Sequence, residues 1–395
     1  MEADNQMNVD TPDDKVYEVS QANVFERRQQ IISRIEDVLS DLIIAISRNE
    51  TPSLVYADGK SSGWSSNSSE SMGSTGSDGM GDRSESSEDS VGHVKMLKFS
   101  GNATRKRFAI IMRILEYVHA KLIANVDETS DSFYCTKRAF YYSLKNEPVK
   151  RFLDKPEKVY LCIGEVATML DCAPWEIGFT TTSKGLIAGD LSLYIEDVVK
   201  DYAPQSCQAV PDVIPNVTRV RTSAEYVLVV EKDSAFQRLL AEGCPAFNKC
   251  IMITAKGYPD IPSRMIVSLL SEKAALPVYA LVDADPYGFE IMCVYRFGTS
   301  NNSGFREQLL CPKMRWLGIH QRDLTLLGIS RIPLKEKDLK KIEDLSNRCY
   351  VGVDFSQHLN EMKLGKAEIE NVDKPMKHFL SEYYIPTKIQ NKSYF

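Results

Sequence analysis

Three apolar runs between residues 226 and 285 constrain the fold more than any other feature of this chain. Tyr226-Val227-Leu228-Val229-Val230 ends in Glu231, Cys250-Ile251-Met252-Ile253-Thr254 leads into Lys256-Gly257-Tyr258-Pro259, and Val278-Tyr279-Ala280-Leu281-Val282 ends in Asp283-Ala284-Asp285-Pro286. The runs are apolar throughout rather than alternating, and helical segments separate them. That combination predicts an α/β unit with a mostly parallel sheet covered on both faces. Ligands of such a sheet gather at the carboxyl ends of its strands, where Glu231, Asp283 and Asp285 stand. Side chains two apart on an extended backbone point the same way, so the two aspartates should converge. A glutamate from a neighbouring strand would complete a pocket of hard oxygen donors suited to Mg²⁺. Asp-x-Asp before proline is also common where a strand simply turns; the added glutamate carries the weight.

Upstream the apolar period lengthens to three and four residues, the signature of amphipathic helices. Ile31, Ile35, Val38, Leu42 and Ile46 make one stripe, Phe108, Ile111, Leu115, Val118 and Leu122 a second, and Val159, Ile163, Val166 and Leu170 a third. A short helix through Tyr141 and Tyr142, which Thr136 could cap, lies between the last two. Residues 178–194 alternate short β-prone runs around Lys184-Gly185 and Gly189, as a two-stranded wing would. Three helices and a wing predict an α+β winged-helix (CAP-like) domain over residues 95–200, a variant of the helix-turn-helix class that grips duplex DNA.

The short helix also carries chemistry. A phenol with a pKa of about 10 is a poor nucleophile at neutral pH and needs nearby cations to stabilise its phenolate and to neutralise a phosphate under attack. Arg138 lies four residues before Tyr142 and Lys145 three after it, on one helix face, but Lys137 and Lys145 flank Tyr141 equally well. Spacing therefore does not choose between the tyrosines. Packing in a helix interface accounts for most Tyr-Tyr pairs, and Tyr383-Tyr384 is a second pair in this same chain.

The chain's net charge of −6 is concentrated. The first 20 residues carry six acids against Lys15, residues 51–93 carry seven against Lys60 and Arg83, and the remainder is mildly basic. Residues 1–23 read as a disordered acidic tail, and residues 51–94, dominated by Ser, Gly, Asn, Asp and Glu, as a disordered linker that cannot bury enough apolar surface to fold. The amphipathic helix of residues 24–50 between them either packs on the chain's own core or docks a partner through a flexible tether. Gly59-Lys60-Ser61 is not a phosphate loop, since Leu54 stands where that motif needs glycine. The nine cysteines show neither a Cys-x-x-Cys pair nor a histidine at ligand spacing, so no zinc site or disulfide framework is indicated. No apolar run is long enough for a membrane helix, and the acidic start is unlike a secretory signal.

Taken in order, Lys137-Arg138-Ala139-Phe140-Tyr141-Tyr142, Thr182-Ser183-Lys184-Gly185-Leu186-Ile187-Ala188-Gly189, Val229-Val230-Glu231-Lys232-Asp233, Ile253-Thr254-Ala255-Lys256-Gly257-Tyr258-Pro259-Asp260, Leu281-Val282-Asp283-Ala284-Asp285-Pro286-Tyr287-Gly288 and Arg315-Trp316-Leu317-Gly318 resemble the meiotic double-strand-break transesterases of the sporulation-eleven family. The likeness extends from about Val24 to Ile389, the Ser-rich linker apart. It implies kinship with the A subunit of type IIB DNA topoisomerases, a winged-helix domain bearing the tyrosine, and a Toprim domain, at residues 201–395 with C-terminal helices, bearing the metal. Matched position by position, the nucleophile falls on Tyr142, the essential arginine on Arg138, and the Mg²⁺ ligands on Glu231, Asp283 and Asp285. Lys137, Lys145, Lys184, Lys256, Arg264 and Arg315 are the candidate DNA contacts. The family usually has Asp where Ala139 stands; its loss bears on a capping bond at the helix start more than on the chemistry.

The resemblance further implies a 5′-phosphotyrosyl product, obligatory homodimerisation for double-strand cutting, a topoisomerase VI B-like partner docking through residues 24–50, and a nuclear setting. Arg105-Lys106-Arg107 is too short a basic run to establish nuclear import by itself. Two other readings remain open from the residues: a non-catalytic DNA-binding dimeric scaffold, and a Toprim hydrolase using Mg²⁺ and water with both tyrosines structural.

Overall fold

The computed structural model describes residues 14–19, 24–57, 94–124, 133–195, 198–212, 214–299, 306–372 and 376–395. In the amino-terminal half, strand β1 (Lys15–Glu18) precedes the long helix α1 (Val24–Ser47). Strands β2 (Ser53–Ala57) and β3 (Val94–Lys98) pair antiparallel and lead into α2 (Asn102–Ala124). Strand β4 (Cys135–Thr136), helices α3 (Lys137–Leu144) and α4 (Pro156–Met169), and strand β5 (Phe179–Thr180) follow. All three predicted stripe positions that α1 buries, Ile31, Ile35 and Leu42, share one core with the complete stripes of α2 and α4.

Helix α1 is thus not an isolated tethered segment. Its Arg27 pairs with Glu176 at 2.7 Å and its Arg34 donates to the Leu170 carbonyl at 2.6 Å, locking it onto the end of α4. Ile46, the last residue of the predicted stripe, is 63% exposed, because the 3.6-residue period rotates it off the core-facing line by the final turn. Ile35→Ala should therefore lower stability by about 2–5 kcal/mol in denaturant unfolding. Ile46→Ala should change it by less than about 0.5 kcal/mol.

Two of the expected disordered stretches are partly ordered. Lys15–Glu18 of the acidic tail runs antiparallel to a strand more than 200 residues downstream, and Ser53–Ala57 of the linker pairs with Val94–Lys98. Alternation explains the second case, since Leu54 and Tyr56 turn inward and are buried. Residues 1–13, 20–23 and 58–93, which hold most of the rest of the tail and the linker, lie outside the described residues.

The remaining elements begin with β6 (Leu186–Ala188), β7 (Leu191–Ile195), β8 (Val198–Tyr202), β9 (Gln208–Ala209), β10 (Val217–Thr222) and β11 (Tyr226–Val230). Next come α5 (Asp233–Ala241), α6 (Cys244–Phe247), β12 (Cys250–Thr254), α7 (Ile261–Glu272), β13 (Val278–Leu281), α8 (Pro286–Phe297) and β14 (Arg315–Gly318). Helices α9 (Gln321–Leu326), α10 (Glu336–Ser346), α11 (Val353–Glu361), α12 (Ile369–Val372) and α13 (Ile385–Gln390) complete the chain.

The predicted wing is not formed by residues 178–194. Strand β5 pairs parallel with β4 at the start of α3, β6 joins a larger sheet beside β12, and β7 belongs to a four-stranded sheet ordered β1-β10-β7-β8. Short β-prone runs carry no record of which neighbour they pair with; each found an open edge elsewhere. The antiparallel ribbon of this half is β2–β3 instead. The sheet also crosses the predicted boundary at residue 200, because β6 lies before it and β12 after it.

The six-stranded sheet runs β14-β13-β11-β12-β6-β9, with β14, β13, β11 and β12 parallel. Its apolar strands bury alternate residues in two cores. Val227, Val229, Ile251, Ile253 and Ala280 face α7 and α8, whereas Leu228, Val230, Met252 and Leu281 face α5 and α13. This two-sided covering is why the runs read as continuously apolar. Among the described residues no helix is long and apolar enough to cross a membrane, and all nine cysteines are free thiols.

Candidate active site

The amino-terminal half places α3 with one face in and one face out. Thr136 caps the helix, its hydroxyl accepting from the Ala139 backbone N–H at 3.1 Å. Half of a capping box is therefore present although Ala139 has no acidic side chain to supply the other half. Phe140, Tyr141 and Leu144 are buried, and Phe140 packs edge-on to Phe179 at 5.0 Å. Tyr142, one residue on, is 49% exposed where Tyr141 is 5% exposed. Over the Tyr142 ring lie the Arg138 guanidinium at 5.9 Å and the Lys145 ammonium at 5.0 Å, the latter also 4.9 Å from the Tyr141 ring.

Lys137 departs from the expected basic face. It is half-buried in a small crevice with Trp175, Phe179 and Asp212, where burial lowers its ammonium pKa. Arg264 departs further: α7 turns it into the core and leaves it 3% exposed, so it offers no surface to a phosphate in this conformation. Arg315 lies at the amino end of β14, its guanidinium between the rings of Tyr279 and Tyr394, while the acidic residues follow the carboxyl ends of the neighbouring parallel strands. Motif and residue type, which suggest Arg264 and Arg315, do not reveal the facing of a helix or the end of a strand.

Lys184 and Lys256 both stand exposed at the carboxyl end of β12, Lys184 there rather than in the expected wing. The antiparallel pairing of β6 with β12 brings them to one rim, and the Lys184 backbone N–H donates to Asp260 at 2.8 Å. Gly185 allows this close approach, since a Cβ there would fall 2.3 Å from Ser263 Oγ. The Gly257 N–H then donates to the Glu231 carbonyl at 2.9 Å, tying that rim to the acidic group.

Glu231 and Asp283 come from adjacent strands, as β11 pairs with β13. The Asp283 N–H donates to Glu231 Oε2 at 2.8 Å, and the Ile369 N–H to Asp283 Oδ1 at 2.9 Å. Gly288 at the start of α8 closes the floor: a Cβ there would lie 2.6 Å from the Asp283 carbonyl oxygen and 2.9 Å from Glu231 Oε2. Burial and the neighbouring Asp283 charge push the Glu231 carboxyl up to about 8. Burial likewise pushes Asp283 up to about 6, against the pull of Lys232.

Asp285 does not simply converge with Asp283. It caps α8, with Oδ1 accepting from the Tyr287 and Gly288 N–H groups at 2.9 and 2.8 Å. In this arrangement no three His, Cys, Asp or Glu side chains among the described residues stand close enough to hold a metal ion. The donors still fit one in kind: three carboxylates, each with its pKa raised by burial, suit a hard divalent cation. The nearest positive charge is Lys232, whose ammonium lies 2.9 Å from Asp283 Oδ2.

Sequence reading missed Lys232 and also Glu290. Buried Glu290 receives hydrogen bonds from Tyr258 and Arg348 and an ion pair from Lys341 at 2.6 Å. Its spacing on α8 gave no signal, since its partners come from the β12–α7 loop and the carboxy-terminal helices. Burial alone would raise its pKa, but Lys341 and Tyr258 hold it below the ordinary value of 4.5. A depressed carboxyl contributes stability that is present above the unfolded value and lost as pH falls through the folded one. Glu290→Gln should lower neutral-pH stability by about 2 kcal/mol and flatten the loss of stability below about pH 4.5 in acid titration of unfolding.

No hydrogen bond, ion pair or ring contact joins Tyr142 to Glu231, Asp283 or Asp285 among the described residues. The two groups thus stand on separate elements of one chain, one basic and phenolic, one acidic.

Residues 226–389 match the family model for the Toprim domain of Spo11 and of the topoisomerase 6 A subunit. The chain is 31% identical to the human meiotic recombination protein SPO11, over 91% of this chain and 87% of that one. It is 35% identical to the Drosophila melanogaster meiotic recombination protein W68, over 77% and 89%. The A subunit of Arabidopsis thaliana DNA topoisomerase 6 is 30% identical, over 75% and 69%.

Proposed function

Because the chain belongs to the family that unites Spo11 with the topoisomerase 6 A subunit, we propose that it makes the DNA double-strand breaks that initiate meiotic recombination, by tyrosine transesterification. The single observation that carries this reading is the division of the Tyr-Tyr pair: Tyr141 is locked in the core while Tyr142 is presented outward between Arg138 and Lys145. Tyr142 Oη attacks a backbone phosphorus, the P–O3′ bond breaks, and a phosphotyrosyl bond forms. The phenolic proton is lost to solvent and the 3′-oxygen leaves as a hydroxyl, giving a 5′-phosphotyrosyl end. Arg138 and Lys145 hold positive charge beside the phenolate and the phosphate.

Glu231, Asp283 and Asp285 would hold Mg²⁺, whose charge offsets that of the phosphate oxygens and of the departing 3′-oxygen. Lys184 and Lys256 on the β12 rim grip the DNA backbone, with weak sequence preference because phosphates carry little base information. Each chain offers one such tyrosine, so cutting both strands takes a homodimer. The Tyr142 of one copy would then act against the acids of its partner. A topoisomerase VI B-like partner would meet the outward side of α1, where Phe25, Ile43 and Ile46 are exposed, because Ile31, Ile35 and Leu42 of the stripe are in the core. Action on chromosomal DNA would require a nuclear location.

The test is to incubate the full chain and its B-type partner with duplex DNA and Mg²⁺ and to search for covalent protein–DNA adducts. Adducts that require Mg²⁺ and are lost in Asp283→Asn are expected. Breaks without covalent attachment would instead indicate the hydrolase reading, and DNA binding with neither breaks nor adducts the scaffold.

A further inference from the structure

The acidic group already contains a cation of its own. Lys232, directly after Glu231 and before α5, reaches Asp283 Oδ2 at 2.9 Å and lies 3.5 Å from both Glu368 Oε2 and Glu370 Oε2. Those two glutamates flank Ile369, the residue whose N–H donates to the other oxygen of Asp283. The segment is anchored there by the bridge between Ala284 and Ala367, and Glu370 is further held by Ser234 at 2.6 Å. Asp283 therefore has both oxygens engaged, one by a backbone N–H that can remain and one by an ammonium that competes with any incoming cation.

We propose that Lys232 is the resident counter-ion of this site, and that a divalent cation binds by displacing it from Asp283 onto Glu368 and Glu370. The inference rests on the metal-site reading above. Geometry favours the exchange because the two receiving carboxylates are already beside the ammonium: it need only give up its shortest bond. The Lys232 charge is never left unpaired, which matters in a half-buried place. In the cation's absence the same contact spares Asp283 a lone buried charge. Lys232 and the Glu368–Glu370 pair are thus positioning residues that set how tightly the site takes Mg²⁺, although none of the three is a ligand in this scheme.

The purified full chain can be titrated with Mn²⁺ by electron paramagnetic resonance and with Mg²⁺ by calorimetry, with no DNA present. A charge-assisted hydrogen bond of about 1.5–3 kcal/mol corresponds to roughly ten- to hundredfold in affinity. Lys232→Met is expected to tighten Mn²⁺ binding by about tenfold; Lys232→Gln, which keeps a polar head, should do the same if the methionine variant fails to fold. The double variant Glu368→Gln/Glu370→Gln should weaken binding several-fold, since Lys232 then has nowhere to go.

The decisive reading is the combination. If the glutamates act by receiving Lys232, their substitution in the Lys232→Met background has little effect. If they act merely by adding negative potential, the effects of the two substitutions are independent and multiply, which overturns the proposal. Unchanged or weaker binding in both Lys232 variants, with the wild type binding and Asp283→Asn not binding, also overturns it while leaving the metal site intact. No binding by the wild type overturns both.

Discussion

Tyr142→Phe is expected to abolish covalent protein–DNA adducts, a fall of about three orders of magnitude or more, because it deletes the attacking oxygen and nothing else. The ring remains, so its contacts with Arg138 and Lys145 survive and the fold should be unaffected. Tyr141→Phe is the informative control. Tyr141 is buried beside Phe140 and Leu144, so losing its hydroxyl should change stability by about 1 kcal/mol or less and leave adduct formation near the wild-type level. Gel detection of radiolabelled DNA linked to protein, with equal circular dichroism spectra for the two variants, separates loss of chemistry from loss of fold. Adducts that survive Tyr142→Phe and vanish in Tyr141→Phe would reverse the assignment and require α3 to turn over.

Lys388→Met is expected to destabilise the carboxy-terminal part of the molecule by about 3–5 kcal/mol, the usual consequence of removing one member of a buried ion pair. Lys388 donates to Asp323 Oδ2 at 2.8 Å and contacts His320 Nδ1 at 2.8 Å, and Tyr384 donates to the same Asp323 oxygen at 2.7 Å. Lys388, Asp323, His320 and Tyr384 are all buried. Burial lowers the Lys388 ammonium to about 8, despite the attraction of Asp323. Without Lys388, Asp323 keeps a charge that is left to neutral donors and to the more distant, half-exposed Arg322 at 4.0 Å. Replacing both, as Lys388→Met with Asp323→Leu, should recover much of the loss, because an apolar pair leaves no charge unpaired.

The readout can be local. Trp316 is 1% exposed, packs edge-on to His320 at 4.5 Å, and pairs through its backbone with Phe395, so its fluorescence reports this corner once the other two tryptophans, Trp64 and Trp175, are replaced by phenylalanine. Equal unfolding midpoints for the single and double variants would show that the charge pair has no special weight. The network also explains how the last residues are held. Helix α13 brings Lys388 onto the residues that follow β14, and Phe395 closes over Trp316 beyond it.

How much of this was legible beforehand depended on the range of the interaction concerned. The stripes of α2 and α4 and the capping role of Thr136 are local periodicities, and every one of those side chains is found where its spacing puts it. The parallel pairing of β11, β12 and β13 follows equally from apolar runs that have to be buried on both faces, whereas β14 was not among those runs. The short runs of residues 178–194 were equally visible as strands, yet their partners were not. Nothing in Leu186-Ile187-Ala188 marks Met252, Ile253 and Thr254 as its neighbours.

The candidate site divides in the same way. Residue type and strand ends marked Glu231, Asp283 and Asp285, Arg138 and Lys145 could be placed on a helix face, and the ordered motifs assigned the family. The sequence by itself thus determined the elements, their apolar faces and the chemical types at the strand ends, because those depend on backbone period and on neighbours within a few residues. Only the tertiary structure decided that Tyr141 is core and Tyr142 is surface, that Arg264 points inward, and that Lys232 stands on Asp283 between two distant glutamates. Those outcomes depend on which surfaces meet. Two adjacent residues of one type on a helix are equivalent until one side of that helix has something packed against it.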